Sequence, residues 1–124
     1  MSGPAHGNRN RATHRAVVDL VGAYLDTEGI ASKATRVPFK LSEAMDGDYP
    51  LTPDLSLDGI DMRVSSRLHP FRLSEDVESV TGAAALRGVP VGVVAQWRAD
   101  RPIQEAFVVT SLADFVKLVR AASP

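Results

Sequence analysis

Asp54-Leu-Ser-Leu-Asp-Gly-Ile-Asp-Met-Arg-Val-Ser-Ser-Arg67 reads as two short strands joined at Asp58-Gly59. A two-residue Asp-Gly connection favours a type I′ turn, because both central residues must tolerate positive φ. The turn sets the register: Leu57 opposes Ile60, Ser56 opposes Asp61, Leu55 opposes Met62 and Asp54 opposes Arg63. Opposed residues share a face of the sheet, and faces alternate with period two. Leu55, Leu57, Ile60, Met62 and Val64 therefore form an apolar face. Asp54, Ser56, Asp61, Arg63, Ser65 and Arg67 form the other, which is wholly polar. Any chemistry carried by this hairpin has to sit on that second face.

The 124 residues around it suit one domain with a core of ordinary size, spanning 11–124, preceded by a basic arm over 1–10. An apolar fraction of 44% and a charged fraction of 23% belong to the globular class. The chain has no cysteine, which excludes disulfides and thiolate metal sites and fits a cytoplasmic location. No apolar run approaches the ~20 residues of a membrane span, and the N-terminus shows no signal-peptide apolar region, so no membrane partner is expected. A net charge of −1 argues against a protein that coats nucleic acid nonspecifically. The charges are segregated, however. Arg9, Arg11 and Arg15 stand without acids over 1–15, and Glu43, Asp46, Asp48, Asp54, Asp58 and Asp61 stand without bases over 41–61. Arg63, Arg67 and Arg72 follow without acids over 62–72.

Upstream of the hairpin, Gly3, Pro4, Gly7, Asn8 and Asn10 make 1–10 a flexible segment, either a simple tail or an arm that contacts phosphates. A helix is expected from Arg11 or Thr13 to Glu28. Val17, Leu20, Val21, Tyr24 and Leu25 form its stripe, and Gly29 is its stop. A short or edge strand is expected over 34–40, interrupted by Pro38, and then a loop over 41–53. Asp46-Gly47-Asp48 in that loop has the alternation of a calcium loop but lacks the further oxygen ligands and closing Glu of one. Downstream, Ser74 is a helix N-cap with Glu75 and Asp76 behind it. Val77, Val80 and Ala84 form the inner face of that helix, which ends near Gly88. Val89 to Trp97 is a nearly continuous apolar run, the pattern of a strand buried on both faces. The helix between hairpin and run then reads as a crossover. A strand over 106–110 follows. Ser111-Leu-Ala-Asp114 resembles a capping box opening a last helix whose stripe is Leu112, Phe115, Val116 and Val119. The expected fold class is α/β, a mixed sheet flanked by helices in the order αβββαββα.

Most motifs outside the hairpin carry no chemistry. No glycine-rich phosphate loop follows a strand, and His6, His14 and His69 lack zinc spacing, so they read as solvated or satisfied histidines. No serine has a nucleophile-elbow pattern. Trp97 beside Arg98 either stacks on a base or packs at the rim of the core, the commoner fate of an aromatic at a strand end.

A helix, a strand, a hairpin, a crossover helix and a further strand together resemble the core of the PD-(D/E)XK, restriction-endonuclease-like superfamily. Within it the chain looks like small resolvase-like proteins of actinobacteria and their phages. The resemblance covers most of 13–121. It is carried by Tyr24-Leu25 through Gly29, the Asp54 hairpin, Pro90-Val-Gly-Val-Val, and Ala106-Phe-Val-Val before Leu112-Ala-Asp-Phe. In that family an Asp opens the hairpin and a Glu-x-Lys lies on its second strand. The carboxylates hold Mg²⁺, and the Lys serves the attacking water. Asp54 matches the first position. Face parity then selects Ser65-Ser66-Arg67, so Ser65 stands for the Glu and Arg67 for the Lys. A hydroxyl is a weak neutral metal ligand, and an arginine stays protonated.

The resemblance thus implies a nuclease-like fold that has lost metal-dependent catalysis. It would bind nucleic acid or an acidic protein surface through Arg63, Arg67 and Arg72, aided by Arg9 and Arg11. No cofactor is expected on this reading. The alternative is an active Mg²⁺- or Mn²⁺-dependent DNA endonuclease with a rearranged site, drawing on Asp54, Asp61, Ser65 and Arg67 with Asp54 and Asp61 on the metal, or on a carboxylate from Glu28, Glu43 or Asp48. Against that site stands an ordinary cross-strand ion pair of Asp54 with Arg63. A third reading is a homodimeric interaction module, since resolvase-like folds often pair and the C-terminal hairpin and helix could supply an apolar patch.

Overall fold

The computed structural model describes residues 3–35, 52–67 and 72–123, with side chains from 11 onward. The elements are α1 (Gly3–Thr27), β1 (Lys33–Ala34), β2 (Leu55–Leu57), β3 (Ile60–Ser65), α2 (Leu73–Leu86), β4 (Val91–Gln96), a 3₁₀ turn (Ile103–Glu105), β5 (Phe107–Val109) and α3 (Leu112–Ala122). The fold is α/β. The described strands form one mixed five-stranded sheet in the order β1-β2-β3-β4-β5, accompanied by three helices. β3 and β4 are parallel, and every other neighbouring pair is antiparallel. Among the described residues no helix is long and apolar enough to cross a membrane.

The hairpin has the register read from its turn: Leu55 pairs with Met62, Ser56 with Asp61 and Leu57 with Ile60. Gly59 sits at φ 75°, in the left-handed region that a two-residue hairpin demands. α2 lies between β3 and β4 in the chain, and the two strands run parallel as a crossover requires. All six residues of β4 are buried: Val91 to Ala95 as the apolar run implies, and Gln96 with its amide held by backbone carbonyls.

Parity divides the packing between two faces. The parallel register sets Met62 beside Val93 and Val64 beside Ala95. These four join Leu55, Val91 and the α1 residues Val17, Val18 and Val21 in the main core. The opposite face, with Asp61, Arg63, Ser65, Gly92 and Val94, meets α2 through Val80, which is 1% exposed. The polar face of the hairpin is thus not an open surface, because a helix lies over much of it.

Several elements differ from the sequence reading. α1 begins at Gly3 rather than near Arg11 or Thr13, because the apolar stripe marks only the portion that packs. Its inward side is Val17, Val18, Val21 and Leu25, and Leu20 is exposed. Apolar residues at 17, 18, 20, 21, 24 and 25 cover more than one helix face, so spacing alone does not select the side the sheet takes. α2 starts at Leu73, and Ser74 lies inside its first turn. Arg72 is the N-cap, with Asp76 N–H donating to its carbonyl at 2.8 Å. Ser111 does cap α3, its Oγ accepting from Asp114 N–H at 3.1 Å. The Asp114 carboxylate does not complete the capping box. It turns inward and accepts from Gly92 N–H at 3.0 Å, supplying a backbone partner beyond the end of β5. The readings over 36–51, including the rest of the first strand and Asp46-Gly47-Asp48, lie outside the described residues, as does His69-Pro70.

Candidate anion-binding cleft

The start of β2 and the ends of β3 and β4 lie at one end of the sheet, since β2 runs against the parallel pair. There the surface opens into a cleft of about 270 Å³. Crevices at the carboxyl ends of parallel strands are a general place for ligands in α/β sheets. His14 from α1, Asp54, Arg63, Ser65 and Arg67 from the hairpin, and Asp76 from α2 line it.

Asp54 is held at two points. Its Oδ2 accepts from Val64 N–H at 2.7 Å, so the carboxylate closes the hairpin ladder where the strand ends. Its Oδ1 lies 3.1 Å from His14 Nε2. His14 reaches it because residue 14 precedes Val17 and Val18 by three and four positions and continues the inward side of α1. The hydrogen bond to Asp54 raises the His14 pKa above its ordinary 6.5. Burial works against this, the Asp54 charge adds to it, and the Arg63 charge opposes it. A raised folded-state pKa adds stability that is full below the unfolded value and is lost as pH rises through the folded one. Thermal unfolding from pH 5.5 to 8.5 should therefore show a slope that His14→Gln removes. Its size is at most about 1 kcal/mol, because the pair is partly exposed and screened. An unchanged slope in the variant would assign the effect elsewhere.

Arg63 reaches across to α2, its Nη1 donating to Ser79 Oγ at 3.3 Å. Arg67 pairs with the buried Asp76 at 3.2 Å with its own side chain half exposed. Between these arginines on the same strand face is Ser65, 8% exposed, whose Oγ has no hydrogen-bond partner among the described residues. Gln96, paired with Ser65 on β4, is anchored by Nε2 to the carbonyls of Arg67 and Trp97.

The structure thus brings Asp54, Arg63, Ser65 and Arg67 together. It sets Asp61 apart: that residue is 1% exposed and bound at 2.8 Å to Nε of Arg87, the C-cap of α2, outside the cleft. Arg72 pairs with Glu75 at 3.6 Å at the exposed start of α2, also outside the cleft. Arg11 is exposed on α1, and the side chain of Arg9 lies outside the described residues, as do Glu43 and Asp48. His14 and Asp76 are cleft residues that the sequence reading passed over. The signals were their helical spacing to Val17 and Val18, and to Val80.

A divalent ion fits this donor set poorly. Asp54 and Asp61 do not converge, both Asp54 oxygens already have partners, and Asp76 is neutralised by Arg67. Among the described residues no group of three or more His, Asp or Glu side chains is placed to hold a metal ion. Arg63, Arg67 and His14 line the cleft with donors of the kind an oxyanion takes, balanced by the carboxylates of Asp54 and Asp76. Trp97 packs against the core. No protein-family model, curated protein or solved structure matches the chain.

Proposed function

We propose that the chain is a nuclease-like α/β protein of the PD-(D/E)XK kind in which metal chemistry has given way to anion recognition. On this reading it binds nucleic acid by seating a phosphate in the cleft. The observation that carries the reading is Ser65 Oγ, buried and without a partner among the described residues, between Arg63 and Arg67 on the cleft wall. A buried hydroxyl left unpaired costs about 1–3 kcal/mol, which a ligand oxygen would recover once the Ser65 side chain turns toward the cleft, since Oγ is closed to solvent in this structure. Arg67 is half exposed and can exchange part of its bond to Asp76 for a phosphate oxygen. Arg63 lies on the same face, two residues from Ser65.

The cleft also holds Asp54 and Asp76, so its charge is near balance and phosphate contacts are few. Binding should be weak to moderate, with a log–log salt slope of about −2. Fluorescence anisotropy with short single-stranded and duplex DNA and RNA at low salt tests this. Arg67→Gln should weaken binding several-fold and reduce the slope by about one. Ser65→Ala should also weaken it while leaving the unfolding temperature unchanged or raised, because the substitution removes an unsatisfied buried group. A purely structural serine would not give that opposition. Absence of binding at low salt, or affinity indifferent to both substitutions, overturns the proposal. Incubation with Mg²⁺ or Mn²⁺ should give no cleavage that depends on Asp54. Cleavage abolished by Asp54→Asn would put the active endonuclease in its place.

A further inference from the structure

His14 and Asp54 form a pair that anion binding by itself does not use. A carboxylate only accepts hydrogen bonds: Val64 N–H fills Asp54 Oδ2 at 2.7 Å, and His14 Nε2 lies 3.1 Å from Oδ1. The proton of that second bond is therefore on Nε2, and in the neutral imidazole Nδ1 keeps its lone pair. Nδ1 makes no hydrogen bond among the described residues, and the His14 side chain is 39% exposed on the cleft wall. Asp54 is itself tied to the β3 backbone, so it fixes the ring as well as the tautomer, as a carboxylate does for a catalytic histidine. An oriented imidazole with a free lone pair is a nucleophile. The cations beside it indicate the electrophile. Arg63 and Arg67 line the same cleft, and the Arg63 charge is felt at the His14 ring. Guanidiniums suit a phosphoryl group in transfer, whose charge spreads over three oxygens.

We infer that His14 Nδ1 is a phosphoryl acceptor, taking the group from a small acyl phosphate bound between Arg63 and Arg67. In the step, the Nδ1–P bond forms as the bond from phosphorus to the acyl oxygen breaks, and the bonding pair leaves with the carboxylate product. Nε2 keeps its proton. The ring gains a positive charge, which the Asp54 carboxylate at 3.1 Å offsets. No proton has to be transferred, and this decides the class of donor. The carboxylates lining the cleft, Asp54 and Asp76, are already engaged by His14 and Arg67. Among the described residues of the cleft no group is left to protonate an alkoxide, so a phosphate ester is a poor donor. An acylate departs unprotonated. Size agrees, since a cleft of about 270 Å³ lies just below the range that takes drug-sized ligands. The inference rests on the cleft admitting a phosphoryl group, as proposed above, and not on nucleic acid as its source.

The full chain incubated with acetyl phosphate tests this, followed by intact mass, peptide mapping and phosphorus–proton NMR. The label should be one phosphoryl group on Nδ1 of His14, stable in alkali and lost in acid as a P–N bond requires. It should form at least about 10-fold faster there than at His6 or His69, the other two histidines. Asp54→Asn keeps an acceptor for Val64 N–H, so the fold should survive. Its labelling rate should fall about 10-fold or more. The pH of half-maximal rate should also move down, because the bond that raises the His14 pKa is weakened. A merely structural Asp54 would leave that profile in place. Arg67→Gln should slow labelling about 10-fold or more. Inorganic phosphate, titrated against the His14 ring signals, separates the two ways of failing. Absence of phosphate binding overturns the cleft reading and this inference together. Phosphate that binds while acetyl phosphate leaves His14 unlabelled overturns the inference alone. So does equal labelling of the three histidines, or an Asp54→Asn chain with the rate and profile of wild type.

Discussion

Arg87→Met is expected to lower the free energy of unfolding by about 3–5 kcal/mol, the usual effect of leaving a buried carboxylate without its charge partner, here an arginine whose own side chain is a third exposed. Asp61 is 1% exposed and lies beneath α2. Its Oδ2 receives Arg87 Nε at 2.8 Å, and its Oδ1 has no partner among the described residues. Removing the guanidinium strands a carboxylate between sheet and helix, where water cannot compensate. A domain of this size has about 5–15 kcal/mol in all, so the variant should be marginal. Urea unfolding followed by circular dichroism measures the loss. Adding Asp61→Asn to Arg87→Met removes the uncompensated charge and should restore more than half of it. A single variant within about 1 kcal/mol of wild type, or a double variant no better than the single, would show that Asp61 has another source of compensation.

Gly92→Ala comes next, at about 3 kcal/mol, the upper range for overpacking. A Cβ at Gly92 would lie 2.6 Å from the Val80 carbonyl oxygen, 2.8 Å from its carbon and 3.0 Å from Thr81 Cα. All three are backbone atoms, so the clash cannot be relieved by a rotamer change, and α2 must lift from the sheet. The movement would loosen Ser79 and Asp76, which hold Arg63 and Arg67, and so reach the cleft as well. Gly82→Ala on the same helix is the control. A Cβ there meets nothing within 4 Å among the described residues, and the exchange should stabilise by about 0.5–1 kcal/mol through helix propensity and unfolded-state entropy. Similar changes at both glycines would contradict the close approach of α2.

Much of the frame is legible in the chain itself, for a local reason. Asp58-Gly59 sets a hairpin whose register follows residue by residue, and period-two chemistry separates its faces. The nearly continuous apolar run from Val89 to Trp97 announces β4, and the intervening helical segment makes its pairing with β3 parallel. Those signals lie within a few residues of what they specify. The candidate site was half legible: parity gathered Asp54, Arg63, Ser65 and Arg67, but His14 lies 40 positions from Asp54 and no spacing rule joins them.

The long-range choices went differently. α1 has apolar residues on more than one side, and only contact with Leu55, Met62 and Val64 selects Val17, Val18 and Val21. α3 has a clear stripe, yet Asp114 and Lys117 tie the helix down from elsewhere and turn that stripe outward. An amphipathic pattern records that a face avoids water. It does not say whether the face is covered by its own chain or by another. The polar face of the hairpin was readable as polar, and its covering by α2 was not. Asp61 thereby becomes the buried half of a pair with Arg87, and the open chemistry contracts to the cleft at the strand ends. Periodicity and turn chemistry are properties of neighbours in sequence. Burial and charge pairing belong to neighbours in space, which the chain acquires only when α2 closes on the sheet.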